Sequence, residues 1–172
     1  MSKQRPQEIP AGSLTPKHPT LQELQIFFEV TNEKIEALET EMLAQQQIEV
    51  PVKEYFINGM YAREIVIPAG TLLTGRVWKQ DYFDIMVSGH IAVATPAGVK
   101  DLSGYNVCDG KAGRKRAGYA FEDTQWITVH PIAQKEANMV EALTFFSMAE
   151  FNVWRDRRDY YLMALAESQI NR

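Results

Sequence analysis

The chain has 172 residues, with 45% hydrophobic and 23% charged residues and a formal net charge of -4, values that suit one soluble globular domain with helical additions. That balance excludes a global attraction to nucleic acid or anionic membranes, and the single cysteine, Cys108, excludes intramolecular disulfides and makes a Cys-based zinc site an unnatural reading. No run of about 18 apolar residues and no apolar signal-peptide core occur, so a cytoplasmic protein without a membrane segment is expected.

Residues 1–19 hold four of the eight prolines among Ser, Thr, Gln and Lys, and read as a flexible arm unable to bury enough apolar surface to fold alone. His18 falls in that arm and is read as solvated. Thr20 and Glu23 match a capping box, and the spacing of Leu21, Leu24, Phe28, Ile35, Leu38 and Met42 predicts an amphipathic helix over 20–47, interrupted only at Thr31. The stripe is expected to pack on the chain's own barrel, with pairing to another subunit as the alternative.

From Val50 the texture changes to β-branched and aromatic runs. Strands are expected at 52–57, 62–67, 72–78, 83–88, 90–95, 99–102, 105–108, 116–120 and 126–130, separated by turn chemistry such as Asn58-Gly59, Pro68-Ala69-Gly70 and Ser88-Gly89. Short strands at this regular spacing suit a jelly-roll barrel over 50–131. After Pro131 helical spacing returns through 132–172, with Val140, Leu143, Ser147, Phe151 and Trp154 on one face and a break near Asn152. The aromatic content of this region requires a packing partner, either the barrel or a second subunit.

Two stretches carry the chemistry. The first is Ile65 to Val93, in which Gly75 and Gly89 bracket GRVWKQDYFDIMVSG without a histidine. The second is Gly110 to His130, in which Lys111, Arg114, Lys115 and Arg116 crowd around Gly110 and Gly113 and offer charge-assisted donors to phosphate or carboxylate. The competing reading of that cationic turn is a solvated hairpin tip paired with Glu122, Asp123 or Asp109.

IPAGTLLTGRVWK, a strand ending in SGHIAV, and AGRKRAGYAFEDTQWITVHP together resemble the cupin-like proteins of unassigned role encoded by tailed bacteriophages, over about Tyr55 to Pro131. The resemblance implies a mainly β, cupin-like jelly-roll barrel with an N-terminal helix and a C-terminal helical region. It also implies that Trp78 and Tyr82 stand at about the positions where that group often carries histidines. Because the two motifs face each other across a cupin barrel, Arg76, Trp78, Arg114, Lys115, Arg116 and Tyr119 are expected to converge on a small anionic, nucleotide-like ligand. No cofactor is expected.

Of the remaining histidines, His90 and His130 end up as weak metal candidates beside Asp81 or Asp84, and ordinary structural roles suit both better. Ser88 lacks a nucleophile elbow, and Cys108 has no histidine in local reach. Arg114, Lys115 and Arg116 followed by Tyr119 and Phe121 interleave cations with aromatics as single-strand binders do, but one cluster in an acidic chain is a thin footprint. The leading expectation is therefore a non-catalytic, homo-oligomeric binding protein assembled through its terminal helices. The alternatives are a structural component of a virion or assembly complex and a metal-dependent cupin enzyme.

Overall fold

A computed structural model describes Glu8–Ile9 and residues 31–170. Two five-stranded antiparallel sheets face each other. The first runs β1 (Glu8–Ile9), β4 (Leu72–Thr74), β10 (Ala117–Ala120), β7 (His90–Thr95) and β8 (Gly98–Ser103). The second runs β2 (Val52–Ile57), β3 (Met60–Ile67), β11 (Thr124–Pro131), β6 (Tyr82–Ser88) and β9 (Asn106–Gly110). The chain changes sheet at the β3–β4, β6–β7, β8–β9, β9–β10 and β10–β11 connections, which gives the mainly β, jelly-roll sandwich that was expected.

Most expected strands appear within two residues of their predicted limits. The exception is 72–78, which divides into β4 and β5 (Val77–Trp78) at Gly75. A Cβ on Gly75 would lie 3.2 Å from Cγ of Arg116, and the Gly75 N–H donates to the Arg116 carbonyl at 2.8 Å. The glycine thus lets the Arg116 stem pass alongside β4 into the barrel. Gly89, at the crossing from β6 to β7, has φ +104°, and a Cβ there would meet the Asp123 carbonyl oxygen at 2.5 Å.

Strand alternation decides what each residue faces. On β3 and β11 the inward set is Tyr61, Arg63, Ile65 and Ile67 with Trp126, Thr128 and His130. On β7 and β10, Ile91, Val93 and Gly118 face inward, whereas Ala92, Ala94, Ala117 and Tyr119 point to the other face and pack under the helix α1 (Asn32–Leu43) with Leu72, Ile35 and Met42. The first sheet is therefore apolar on both faces, and the described part of the helical stripe is spent on the chain's own barrel. Its outer face on the second sheet is left uncovered by any described element, and carries Tyr55, Ile57, Phe83 and Val107 exposed.

Thr31 is not an interruption in this helix but its N-cap. It adopts φ -97°, ψ 162°, and its hydroxyl accepts from the Lys34 N–H at 3.4 Å. The expected start at Thr20 lies outside the described residues, as does the arm apart from Glu8–Ile9, which pair with Leu73 and Leu72 at the sheet edge. The helix ends at Leu43 rather than at residue 47.

The C-terminal break also moves. It falls between α2 (Met139–Leu143) and α3 (Met148–Ile170), where β12 (Thr144–Phe145) pairs with β5, and α3 runs unbroken through Asn152. Ser147 and Glu150 explain the new start: Ser147 Oγ accepts from the Glu150 N–H at 3.2 Å, and Glu150 Oε2 accepts from the Phe146 and Ser147 N–H groups. This reciprocal cap ends the extended pair and begins the helix.

Candidate functional site

Between the sheets lies a cavity of about 80 Å³, lined by residues from both motifs and by Val140 of α2. Its apolar wall includes Ile65, Ile91, Val93, Trp78 and Trp126. Its polar wall is cationic, with Arg63, Arg76 and Arg116 and the hydroxyls of Thr74 and Thr128, and among the described residues no acidic one lines it. Thr128 is 5% exposed, and its Oγ1 has no hydrogen-bond partner among the described residues.

Arg116 reaches this position because it directly precedes β10. Its guanidinium makes a two-pronged contact with Asp84, donating from Nη1 to Oδ2 and from Nη2 to Oδ1 at 2.9 Å. Asp84 is 1% exposed and accepts a further bond at Oδ1 from Trp126 Nε1 at 2.9 Å, while Arg114 Nη2 stands 3.6 Å from its Oδ2. Burial works against the charge on Arg116, but the Asp84 carboxylate more than offsets it, and the guanidinium pKa is raised. Arg116 also lies 5.6 Å from the Tyr82 ring centroid and 5.5 Å from that of Trp126.

Arg76 is held from the other side. Its Nε donates to Thr144 Oγ1 at 2.6 Å, and its guanidinium sits 3.8 Å over the Phe146 ring. Residues 138–147 thus form a strap across the cavity mouth. The strap is fastened by the β5–β12 pair, by the Lys79 N–H on the Leu143 carbonyl at 2.9 Å, and by the Lys79 ammonium on the Ala142 carbonyl.

Below the arginines is an aromatic layer around His130. This side chain is 0% exposed, and its ring lies 3.8 Å from Trp78, 4.7 Å from Tyr82 and 5.9 Å from Tyr61, centroid to centroid. Neither ring nitrogen has a hydrogen-bond partner among the described residues. Burial lowers the imidazole pKa to about 3, against a pull upward from Asp84 and with help from Arg116 and Arg63, so the ring is neutral near pH 7. Burial likewise pushes the Tyr82 hydroxyl up.

The six residues expected to converge do not stay together. Arg76, Trp78 and Arg116 line the cavity. Arg114 stands behind Asp84, with Nη2 on the Asp109 carbonyl at 3.2 Å. Lys115 is fully buried, and its ammonium donates to Glu39 Oε2 and to the Phe146 carbonyl, both at 2.7 Å. Tyr119 faces α1 on the opposite side of the first sheet, so it cannot stack with Trp78 on one ligand. Arg63 and Thr128, adjacent across β3 and β11, take the vacated places. The alternation that puts Ile65 and Ile67 inward also points Arg63 inward, and that was the signal available in the sequence.

The donor set does not fit a metal. Among the described residues no group of three or more His, Cys, Asp or Glu side chains is placed to hold one. Thr124 at the start of β11 lies against the His90 carbonyl, and His130 is six residues further along the strand, which separates the two histidines by roughly 20 Å. His90 instead meets Asp101 at 2.7 Å and lies 4.6 Å from the Phe121 ring. Asp81 takes Lys111 at 3.0 Å and the Ala112 N–H at 2.9 Å, away from both.

No family model and no curated protein matches the chain. Solved structures similar to it include KdgF from Halomonas sp., at 16% identity and TM-score 0.46, over 55% of this chain and 89% of that one. A cupin-2 domain containing protein from Shewanella frigidimarina is similar at 14% identity and TM-score 0.40, over 55% of this chain and 91% of its own. The Clostridium difficile EutQ protein is similar at 14% identity and TM-score 0.42, over 49% of this chain and 70% of its own.

Proposed function

We propose that the chain is a non-catalytic binding protein that holds a short-chain carboxylate inside the barrel. The observation that carries this reading is the cavity wall, in which Arg63, Arg76 and the hydroxyl of buried Thr128, unpartnered among the described residues, share one space with no described acid lining it. Arg116 is already matched by Asp84, so it supplies field and shape rather than the first contact. The carboxylate head suits the arginines and Thr128, and the tail suits Ile65, Ile91 and Val93.

Size narrows the ligand. At roughly 10–15 Å³ for each water-sized group, a cavity of about 80 Å³ admits a guest of roughly five to eight non-hydrogen atoms. Drug-sized ligands occupy roughly 300 Å³ or more, so the nucleotide-like ligand expected from the cationic turn is disfavoured against a small carboxylate.

The test is a thermal-shift and calorimetric titration of the wild-type chain with C2 to C6 monocarboxylates, inorganic phosphate and AMP. A carboxylate-specific rise in melting temperature, absent in Arg76→Ala and Thr128→Val and retained in Arg158→Ala on α3, is the expected result. No shift at 20 mM carboxylate, or a shift that survives both cavity variants, overturns the proposal.

A second reading has its own support. Val153, Tyr160, Tyr161, Leu162, Met163 and Leu165 are all more than half exposed on α3, a contact-making surface in keeping with a component of a phage virion or assembly complex. Co-sedimentation of the chain with assembled particles from a producing host would distinguish it from a free binding protein.

A further inference from the structure

The two sheets of the barrel are covered unequally. The outer face of the β1-β4-β10-β7-β8 sheet packs under α1, through Ala92, Ala94, Ala117 and Tyr119 against Ile35 and Met42. The outer face of the β2-β3-β11-β6-β9 sheet is also apolar, and no described element covers it. Two cross-strand rows run over it: Tyr55, Ala62, Val129, Phe83 and Asp109 in one, and Lys53, Glu64, Ile127, Ile85 and Val107 in the next, apolar in the middle and charged at the sheet edges.

We propose that this face is the dimer interface, and that its occupant is the same face of a second copy of this chain. Area is the first argument. Tyr55, Ile57, Met60, Phe83, Tyr105 and Val107, each 47% to 70% exposed, leave on the order of 700 Å² of side chain open, close to the ~800 Å² per partner of a standard interface. A patch of that size is at or above the largest that a typical monomer shows.

Charge is the second argument. The charged side chains of those two rows are Lys53 and Glu64 at one end and Asp109 at the other, and Glu64, the buried one, is prepared for desolvation. It is 8% exposed, accepts from Tyr55 Oη at 2.7 Å and from Gln125 Nε2 at 2.9 Å, and has Lys53 Nζ at 3.6 Å. These partners hold its carboxyl below the usual range, with the Tyr55 hydrogen bond the largest cause. Asp109 at the opposite edge has Lys111 Nζ at 3.4 Å, so each carboxylate of the face is matched by a lysine of the same chain, no oppositely charged partner is called for, and like can meet like.

Shape is the third. Two sheets of the same twist stack at about 10 Å with a small angle between strands, and a twofold axis through the Ile127 and Ile85 region would place each apolar row against its copy. The chain needs only one patch to close such a dimer. This location differs from the terminal helices, where pairing was first expected: α1 is occupied by its own barrel, and α3 carries its exposed side chains elsewhere.

Sedimentation velocity and multi-angle light scattering of the full chain at 1–100 µM test the proposal, with Phe83→Glu and Val107→Lys as interface variants and Tyr161→Glu as a control on α3. The expected result is a wild-type dimer, a rise of about 30-fold or more in the dimer dissociation constant in each interface variant, and an unchanged constant in Tyr161→Glu. Circular dichroism spectra matching wild type would show that the variants remain folded, as the exposure of both positions allows. A monomeric wild type at 100 µM, interface variants that stay dimeric, or a dimer broken by Tyr161→Glu alone overturns it. Carboxylate binding is read separately, so failure of one reading leaves the other distinguishable.

Discussion

Lys115 Nζ lies 2.7 Å from Glu39 Oε2, although the two residues are 76 positions apart and Lys115 is completely buried. The same carboxylate accepts from Thr74 Oγ1 at 2.9 Å, and the same ammonium reaches the Phe146 carbonyl. One buried pair thus fastens α1, β4, the cationic turn and the strap. Removing either charge alone strands the other without water, which typically costs about 3–5 kcal/mol. Lys115→Met is expected to lose that much in urea denaturation, whereas Lys115→Met with Glu39→Leu recovers most of it.

Asp84 fills Arg116 in the way a bound carboxylate would. In Asp84→Ala the arginine and the Trp126 N–H lose their acceptor, and stability is expected to fall by about 3–5 kcal/mol. Formate or acetate at 50 mM should restore part of that loss and raise the melting temperature of the variant more than that of wild type. An equal response in both proteins would contradict the assignment of Asp84 as the internal counterion.

His130 sets a pH dependence. Its folded pKa of about 3 lies below the ordinary value of 6.5, so the unfolded chain binds a proton that the folded chain refuses. The associated stability is complete above about pH 6.5 and declines as pH falls toward 3, at up to about 1.4 kcal/mol per pH unit. Carboxylates held low, such as Glu64, Asp81 and Asp109, act below about pH 4.5, which leaves the interval from 6.5 to 5 to the histidine. Denaturant unfolding across that interval should show the slope in wild type and a flattened profile in His130→Phe.

Two glycines separate strain from collision. Gly89 combines φ +104° with a Cβ position 2.5 Å from the Asp123 carbonyl, while Gly98 has φ +114° and nothing within 4 Å. Gly98→Ala should cost about 1 kcal/mol from backbone strain alone, and Gly89→Ala at least about 3 kcal/mol, because backbone must also move. Melting temperatures of the two variants measured side by side check the difference.

The strands were legible because each is bounded by turn chemistry, and 52–57 and 90–95 were read to the residue. Site residues were legible only where alternation and motif agreed. Arg76 and Trp78 follow the glycine of the first motif, and Arg116 directly precedes β10, so all three reach the cavity. Tyr119 was misplaced by one step of the pleat: Gly118 faces the cavity and its neighbour faces α1. Lys115 was illegible for another reason, since its partner sits on a helix far away in sequence and nothing local distinguishes a buried lysine from a solvated one. Thr31 shows the same limit on a smaller scale, since an apparent gap in a heptad stripe was the cap from which the described helix begins.

The strap over 138–147 bears on time as well as affinity. Arg76 is tied to Thr144 and Phe146, so a guest leaving the barrel past Val140 must first loosen a five-residue helix and a two-residue strand pair. Elements this short open far more often than the sheets beneath them. Residence of a guest would therefore be clocked by local opening of the strap, and its departure rate should track amide exchange at Leu143 to Phe145 while the core amides of β11 stay protected.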